Sequence, residues 1–311
     1  MAGDEPNGPQ LSVVLNVMGR VELAEYGFRS WMLQERSGPY EVVLNLFNNE
    51  QPRFEALGEG RNPECRLVIH TYDRPPFFNI SAANNLGLHH ATGRYVLFAN
   101  ADMIYPSDRA RLLVQEVADR NLGFAMAARV DLSEEQAKAL KPAREYTTEN
   151  NFDFLLELER VAGMTPWGSG QGWILRRHVA RAIGGFDARI RCGEDVDITD
   201  RAMHYLRRTG AQSAIHFMQD LSAYHVYHPT TELFDTYAAA MEICRERRDR
   251  MSADPNGTTD VVPTPLDSHD ALRDAALNSP KPPRFARYRQ NTVKKIGHRL
   301  NRAFNVLIGR R

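Results

Sequence analysis

Cysteine is scarce in this chain: there are three in 311 residues, Cys65, Cys192 and Cys244, an odd number set far apart. That spacing suits neither a disulfide framework nor a thiolate zinc site, and it fits a reducing compartment. Long apolar runs are missing as well. No stretch of about 18 apolar residues occurs, so no spanning helix is expected, and the polar opening MAGDEPNGPQ does not read as a secretory signal. Neither sign of charge prevails, since Lys+Arg and Asp+Glu each total 39. The overall balance therefore points to no particular partner. The distribution does more: from Lys281 to Arg311 there are ten Lys or Arg and no acid, which leaves the rest net acidic. There is no internal repeat. These absences together lead to the expectation of a cytoplasmic protein.

What is present is ordinary globular composition, 42% apolar and 25% charged, arranged as strands alternating with helices. LSVVLN (11–16), YEVVLNLF (40–47), RLVIH (66–70), RYVLFA (94–99), LGFAMAARV (122–130) and SAIHFM (213–218) read as strands. Helical patterns follow the first strand through Gln34, fill 79–93 up to Gly93, and run from Pro106 to Arg120 behind a Ser107 or Asp108 cap. This alternation predicts an α/β fold with a mostly parallel central sheet and helices on both faces. Ligands gather at the carboxyl ends of such strands, and Asn16, Asn48, Asn100 and Asp102 stand at those ends. Residues 131–151 read as an insertion or lid, and 164–173 (MTPWGSGQGW) as a Gly-rich loop. The expected organisation is a flexible 1–9, a catalytic domain over 10–250, a linker over 251–283 and a basic amphipathic helix over 284–311.

Four features carry chemistry. Asp102 either closes a turn or holds a divalent ion against a phosphate. Glu194 and Asp195, in GGFDARIRCGEDVD, fall at a helix start, where the dipole and free N–H groups favour the ionised form. They either charge the first turn together with Asp197 or supply a base. In YHVYHP, His225 and His228 are three apart; on a strand they would face opposite sides, which argues against a clamp of both on one ion. Trp167 and Trp173 flank glycines that let a backbone approach a ligand, and their rings could stack on a sugar or serve the core.

Taken together, LSVVLNVMGR, SAANNLGLHHATGRYVLFANAD and IGGFDARIRCGEDVDITDRA, over about residues 10–230, resemble the GT-A nucleotide-sugar glycosyltransferases. The first half is similar to family 2. The later part resembles the acceptor-side segment of the β-1,4-galactosyltransferases and polypeptide N-acetylgalactosaminyltransferases. The resemblance implies a GT-A fold and a Mn²⁺ or Mg²⁺ cofactor. Asp102 matches the metal-binding acid of a D-x-D motif whose first acid is replaced by Asn100. His225 matches a histidine that completes the metal site, with His228 in reserve. Asp195 matches the base of inverting members, with Glu194 beside it on the acceptor. Asn16, Arg20, Asn48, Asn85, Gly172 and Trp173 fall at donor-binding positions. The acidic pair that usually closes the second strand is absent: Asn45, Asn48 and Asn49 stand there. Cys192 replaces the usual Trp or Gly.

The implied function is an inverting glycosyltransferase that moves a sugar from a nucleotide-sugar, a UDP-sugar in the first instance, to a glycan or glycolipid hydroxyl. In the tail, Val293, Ile296, Leu300, Phe304 and Leu307 or Ile308 form one stripe among basic residues. That suits an interfacial helix on anionic lipid at the inner face of a plasma membrane, and equally a helix packed on the domain. Lipid would suit a cell-envelope acceptor. No nucleic-acid motif is present. The rival readings are a catalytically silent GT-A scaffold at the membrane and, further off, a sugar nucleotidyltransferase, whose Gly-rich phosphate loop is missing after the first strand.

Overall fold

The structure, a computed structural model, describes residues 8–17, 19–73, 79–164, 166, 172–191, 193–211, 216–228, 234–257, 261–262 and 264–277. Trp167, Cys192 and the basic segment 284–311 lie outside the described residues.

The first half alternates as the sequence predicts: β1 (Leu11–Asn16), α1 (Val21–Met32), β2 (Tyr40–Phe47), α2 (Gln51–Leu57), β3 (Cys65–Tyr72), α3 (Ile80–His90) and β4 (Tyr95–Asn100). There follow β5 (Met103–Ile104), α4 (Arg109–Asp119), β6 (Phe124–Asp131), α5 (Glu134–Lys138) and α6 (Phe154–Ala162). The last part comprises β7 (Trp173–Arg176), α7 (Arg177–Ala182), α8 (Glu194–Arg208), β8 (His216–His225), α9 (Phe234–Ala253) and α10 (His269–Leu277). One sheet takes the strands in the order β3-β2-β1-β4-β7-β6-β8-β5. Strands β3, β2, β1 and β4 are mutually parallel, and β6 is parallel to β8. β7 runs antiparallel between β4 and β6, and β5 antiparallel to β8.

The continuous apolar runs of β1, β2 and β4 follow from burial on both faces, as expected of inner parallel strands. Alternate side chains part company. Val13, Leu15, Val42, Leu44 and Leu97 join Phe28, Trp31, Phe54 and Leu113 from α1, α2 and α4. Val14, Val43, Val96 and Phe98 join Leu88, Val179, Ile198 and Leu206 from α3, α7 and α8.

Two segments read loosely in the sequence are packed. The insertion after β6 forms its own cluster, in which Tyr146, Phe152 and Leu155 meet Val130, Tyr224 and Val226. Buried Arg29 of α1 ties it to the main body, donating to Tyr146 O (3.0 and 2.8 Å) and to Leu57 O (2.7 Å). Glu159 of α6 accepts from the Tyr224 hydroxyl at 2.6 Å. The segment is therefore an anchored wall. Residues 261–262 and 264–277, inside the stretch read as a linker, fold back on the domain: Val262 N donates to Ile183 O (3.0 Å), Leu266 and Leu272 are buried, and α10 lies on α3.

Candidate functional site

The stretch LFANADMIYPSD runs out of β4 at the carboxyl edge of the sheet. Asn16 of β1 pairs in register with Asn45 of β2 and Asn100 of β4, so three amides lie level along that edge. Beyond Asn100 the chain turns at Ala101 and Asp102 into β5, and α1 presses on this turn. A Cβ at Gly27 would meet Ala101 O at 2.1 Å, so only glycine allows the approach. β5 then pairs with β8, Met103 opposite His225, and Val226 N donates to Asp102 O at 3.0 Å. This short pairing brings together residues more than a hundred positions apart.

The result is a cluster of Asp102, His225 and His228, all half-buried or buried. His228 Nε2 lies 3.0 Å from Asp102 Oδ2, His225 Nε2 lies 3.6 Å from the same oxygen, and the two ring nitrogens are 3.1 Å apart. The expectation that the two histidines face opposite sides is corrected. The strand ends at His225, so strand alternation no longer governs His228. His225 Nδ1 faces Asp131 Oδ1 at 3.0 Å and Arg129 Nη2 at 2.8 Å. Burial would lower His225, but its hydrogen bonds to Asp102 and Asp131 outweigh that and raise it; to offer Nε2 to a metal, the ring would keep its remaining proton on Nδ1, toward Asp131. Burial alone would raise the Asp102 carboxyl. The hydrogen bonds from His225 and His228 outweigh it and hold the group well below the usual carboxylate range. Asp102 Oδ1 is buried and has no hydrogen-bond partner among the described residues. One carboxylate with two imidazoles is a donor set suited to a divalent transition metal, and the orphaned Oδ1 is an oxygen such an ion would engage. Arg20 also reaches the cluster. Its Nη1 is 2.7 Å from His228 Nε2 and 3.9 Å from Asp102 Oδ2. Gly19 and Arg20 both carry positive φ (109° and 52°), an unusual conformation for Arg, and it aims the side chain inward.

The second acidic group opens α8. The loop before it is held at the start of α3: Asn79 Nδ2 donates to Ala188 O (2.8 Å), and Ser81 Oγ bonds Ile190 O. Since α3 follows β3, this contact puts the entry to α8 at the carboxyl edge too. The acids there divide into two kinds. Asp187 and Asp197 are buried and paired: Asp197 Oδ2 accepts from Arg201 Nε (2.8 Å), and Arg247 bridges both acids, at 2.5 Å on Asp187. Glu194 and Asp195 are half-buried and raised. Burial, then repulsion from Asp195, lifts Glu194 to about 8; burial lifts Asp195 to about 6 against its backbone hydrogen bonds. The expectation of a depressed pKa at this helix start is overturned, because desolvation outweighs the dipole here.

Three donor-binding expectations are corrected. Asn85 is fully buried; its amide donates to Phe186 O (2.8 Å) and its oxygen accepts from Phe186 N (2.7 Å), so it pins the GGFD turn. Trp173 is buried in the core with Phe98 and Phe186. Asn16 is mostly engaged internally, donating to Asn84 Oδ1 (2.6 Å) and accepting from Asn45 Nδ2 (2.8 Å). Asn48 is exposed past β2, donating to Asp73 Oδ1 at 2.8 Å. Gly172 sits before β7 with φ 81°, against the Tyr105 hydroxyl.

Residues 68–184, less than half of the chain, match the family described as Glycosyl transferase family 2. No curated protein matches the chain. Among solved structures, TarS 1-349 of S. aureus in complex with UDP aligns at 14% identity, over 79% of this chain and 66% of that one, with a TM-score of 0.52. The same fragment in complex with UDP-GlcNAc aligns at 13% identity, over 79% and 67%, with a TM-score of 0.54. The fold is GT-A. The likeness spans only 40% of the longer S. aureus TarS chain, at 16% identity, 79% coverage of this chain and a TM-score of 0.51.

Within this GT-A frame the sequence pointed to Asp102 and His225 but missed their surroundings. Asp131 and Arg129 carry no motif; they come into view only through the pairing of β6 with β8, where Asp131 stands opposite His225. Asp73 likewise stands out only as the partner of Asn48 at the adjacent strand end. No helix among the described residues is long and apolar enough to cross a membrane.

Proposed function

We propose that this GT-A protein is an inverting glycosyltransferase that moves a sugar from a nucleotide-sugar to an acceptor hydroxyl. The observation that carries the reading is the Asp102–His225–His228 cluster, with its orphaned carboxylate oxygen, at the carboxyl edge of the sheet. The match of residues 68–184 to Glycosyl transferase family 2 supports it. Asp102, His225 and His228 would hold a divalent ion. Two imidazoles favour Mn²⁺ over Mg²⁺, which prefers oxygen donors. When bound, such an ion supplies positive charge beside a diphosphate leaving group.

The chain's own residues then have distinct tasks. Asp195, with a pKa near 6, is ionised at neutral pH and takes the proton of the acceptor hydroxyl. The acceptor oxygen bonds to the anomeric carbon as its bond to the diphosphate breaks, in one displacement that inverts the centre. Glu194 contacts the acceptor, and Arg20 places a guanidinium beside the phosphates. Asn48 and Asp73 offer a donor and an acceptor to a nucleobase edge. The UDP and UDP-GlcNAc complexes of TarS make a UDP-sugar the first donor to try. The likeness of the GGFD…GEDVD segment to galactosyl- and N-acetylgalactosaminyltransferases favours a glycan or lipid-linked glycan acceptor. The composition of 284–311 favours a peripheral site on anionic membrane.

A second reading, a GT-A scaffold without turnover, is favoured by one contact: Arg20 occupies the space beside His228 Nε2, where an ion would sit. Donor hydrolysis with Mn²⁺ separates the two. A transferase hydrolyses its donor slowly and loses that activity in Asp195→Asn; a scaffold turns over nothing in either form.

A further inference from the structure

On the far side of the Asn45–Asn16 ladder lies a second group of histidines that the transfer chemistry does not use. His70 sits on β3 opposite Asn45, His90 is the last residue of α3, and His269 is the first of α10. His90 Nε2 and His269 Nδ1 are 2.8 Å apart, and the His70 and His90 rings stack with centroids 3.6 Å apart. One ligand nitrogen from each lies within 4.8 Å of the other two. His70 Nε2 is buried with no hydrogen-bond partner among the described residues. Burial and the neighbouring imidazoles push His70 down to about 4 and His90 to about 3. Three imidazoles from three elements satisfy one hydrogen bond between them and leave His70 Nε2 without a partner among the described residues.

We propose that His70, His90 and His269 form a second metal site, of the zinc class, that fastens the C-terminal segment to the sheet edge. Imidazole donors with no carboxylate or thiolate among them select Zn²⁺, Cu²⁺ or Ni²⁺ over Mg²⁺ or Ca²⁺. Tetrahedral zinc with Zn–N near 2.0–2.1 Å sets its nitrogens about 3.3 Å apart, so the stacked His70 and His90 rings would tilt apart to close the set. Each residue is half-buried. The site bridges α10 to α3 and β3 next to the hydrogen bond between His89 Nδ1 and Leu266 O (2.6 Å). It is independent of the Asp102 cluster and of the transferase reading.

The test uses the full chain without a histidine tag, stripped with chelator, in an Asp102→Asn/His228→Ala background that silences the first cluster. Zn²⁺ titration by calorimetry should show one equivalent bound, Zn²⁺ should raise the Tm, and Co²⁺ should give the visible bands of a tetrahedral nitrogen site. His90→Ala or His269→Ala should weaken Zn²⁺ binding by at least about 10-fold to 100-fold, since a lost ligand costs no less than a lost supporting contact. His269→Gln keeps an amide that hydrogen-bonds His90, so its metal-free Tm should stay near the parent's while the Zn²⁺ response disappears. Should the background protein bind no Zn²⁺, or should His269→Gln bind it as tightly as the parent, the cluster is packed histidine and the proposal fails. If His90→Ala does not fold, His70→Asn provides the same readout.

Discussion

Asp195 and Glu194 show how one helix turn can hold acids of opposite use. Asp197, two residues on, is neutralised by Arg201 and Arg247 and belongs to the frame. Asp195 and Glu194 have no such cation partner among the described residues and are held above their ordinary values of 3.8 and 4.5 by desolvation. Two outcomes follow from the sign. As a base, Asp195 works only when ionised, so transfer should fall on the acid side with a midpoint near 6, read from the pH profile of kcat/KM. For stability, the folded chain binds more protons than the unfolded one between the two pKa values. This contribution is therefore full below about 4 and is lost as pH rises through the folded values, near 6 for Asp195 and near 8 for Glu194. Asp195→Asn should accordingly raise the Tm at pH 8 and leave it nearly unchanged at pH 4, while lowering kcat by about 10²–10⁴. A fall in Tm at pH 8 would assign Asp195 to the frame.

At the scale of elements, small pieces decide the site. The two-residue β5 sets Asp102 against β8, and its only sequence trace is a Met-Ile pair between Asp102 and Pro106. Gly27→Ala on α1 should displace the Ala101–Asp102 turn. We expect a loss of about 1–3 kcal/mol from overpacking and, by calorimetry, weaker Mn²⁺ binding at a site the substitution does not touch. Asp197→Asn on α8 takes from buried Arg201 its carboxylate, leaves Arg247 with Asp187 alone, and should cost about 3–5 kcal/mol, read from the urea midpoint. The central strands were legible because inner parallel strands are apolar throughout. The strand over 213–218 was read short because its later half, QDLSAYH, alternates irregularly around a bulge opposite Ala127 and Ala128. Asn85 and Trp173 were misplaced for a different reason. An amide that pins a turn and an indole that fills a core are the same residue types that meet a nucleotide or a sugar, and only packing tells them apart.

At the scale of the whole molecule, a GT-A sheet carries acidic residues at its carboxyl edge, and a C-terminal strap packs on the α3 and α8 face. The strap was read as a linker because Pro, Asp and Ser hide the few apolar anchors, Val262, Leu266 and Leu272. Ending the chain at residue 257 should remove about 4.5–9 kcal/mol of burial, about 1.5–3 for each of the three anchors, and lower the Tm, and limited proteolysis should then cut nearer α3. The most direct trial of the two-part acidic site is binding set beside turnover, with a panel of nucleotide-sugars and with and without Mn²⁺. Wild type should bind a donor only with metal and transfer it. Asp102→Asn should lose metal-dependent binding, and Asp195→Asn should keep binding and lose transfer. Full transfer by Asp195→Asn, or undiminished metal-dependent binding by Asp102→Asn, would contradict the assignment.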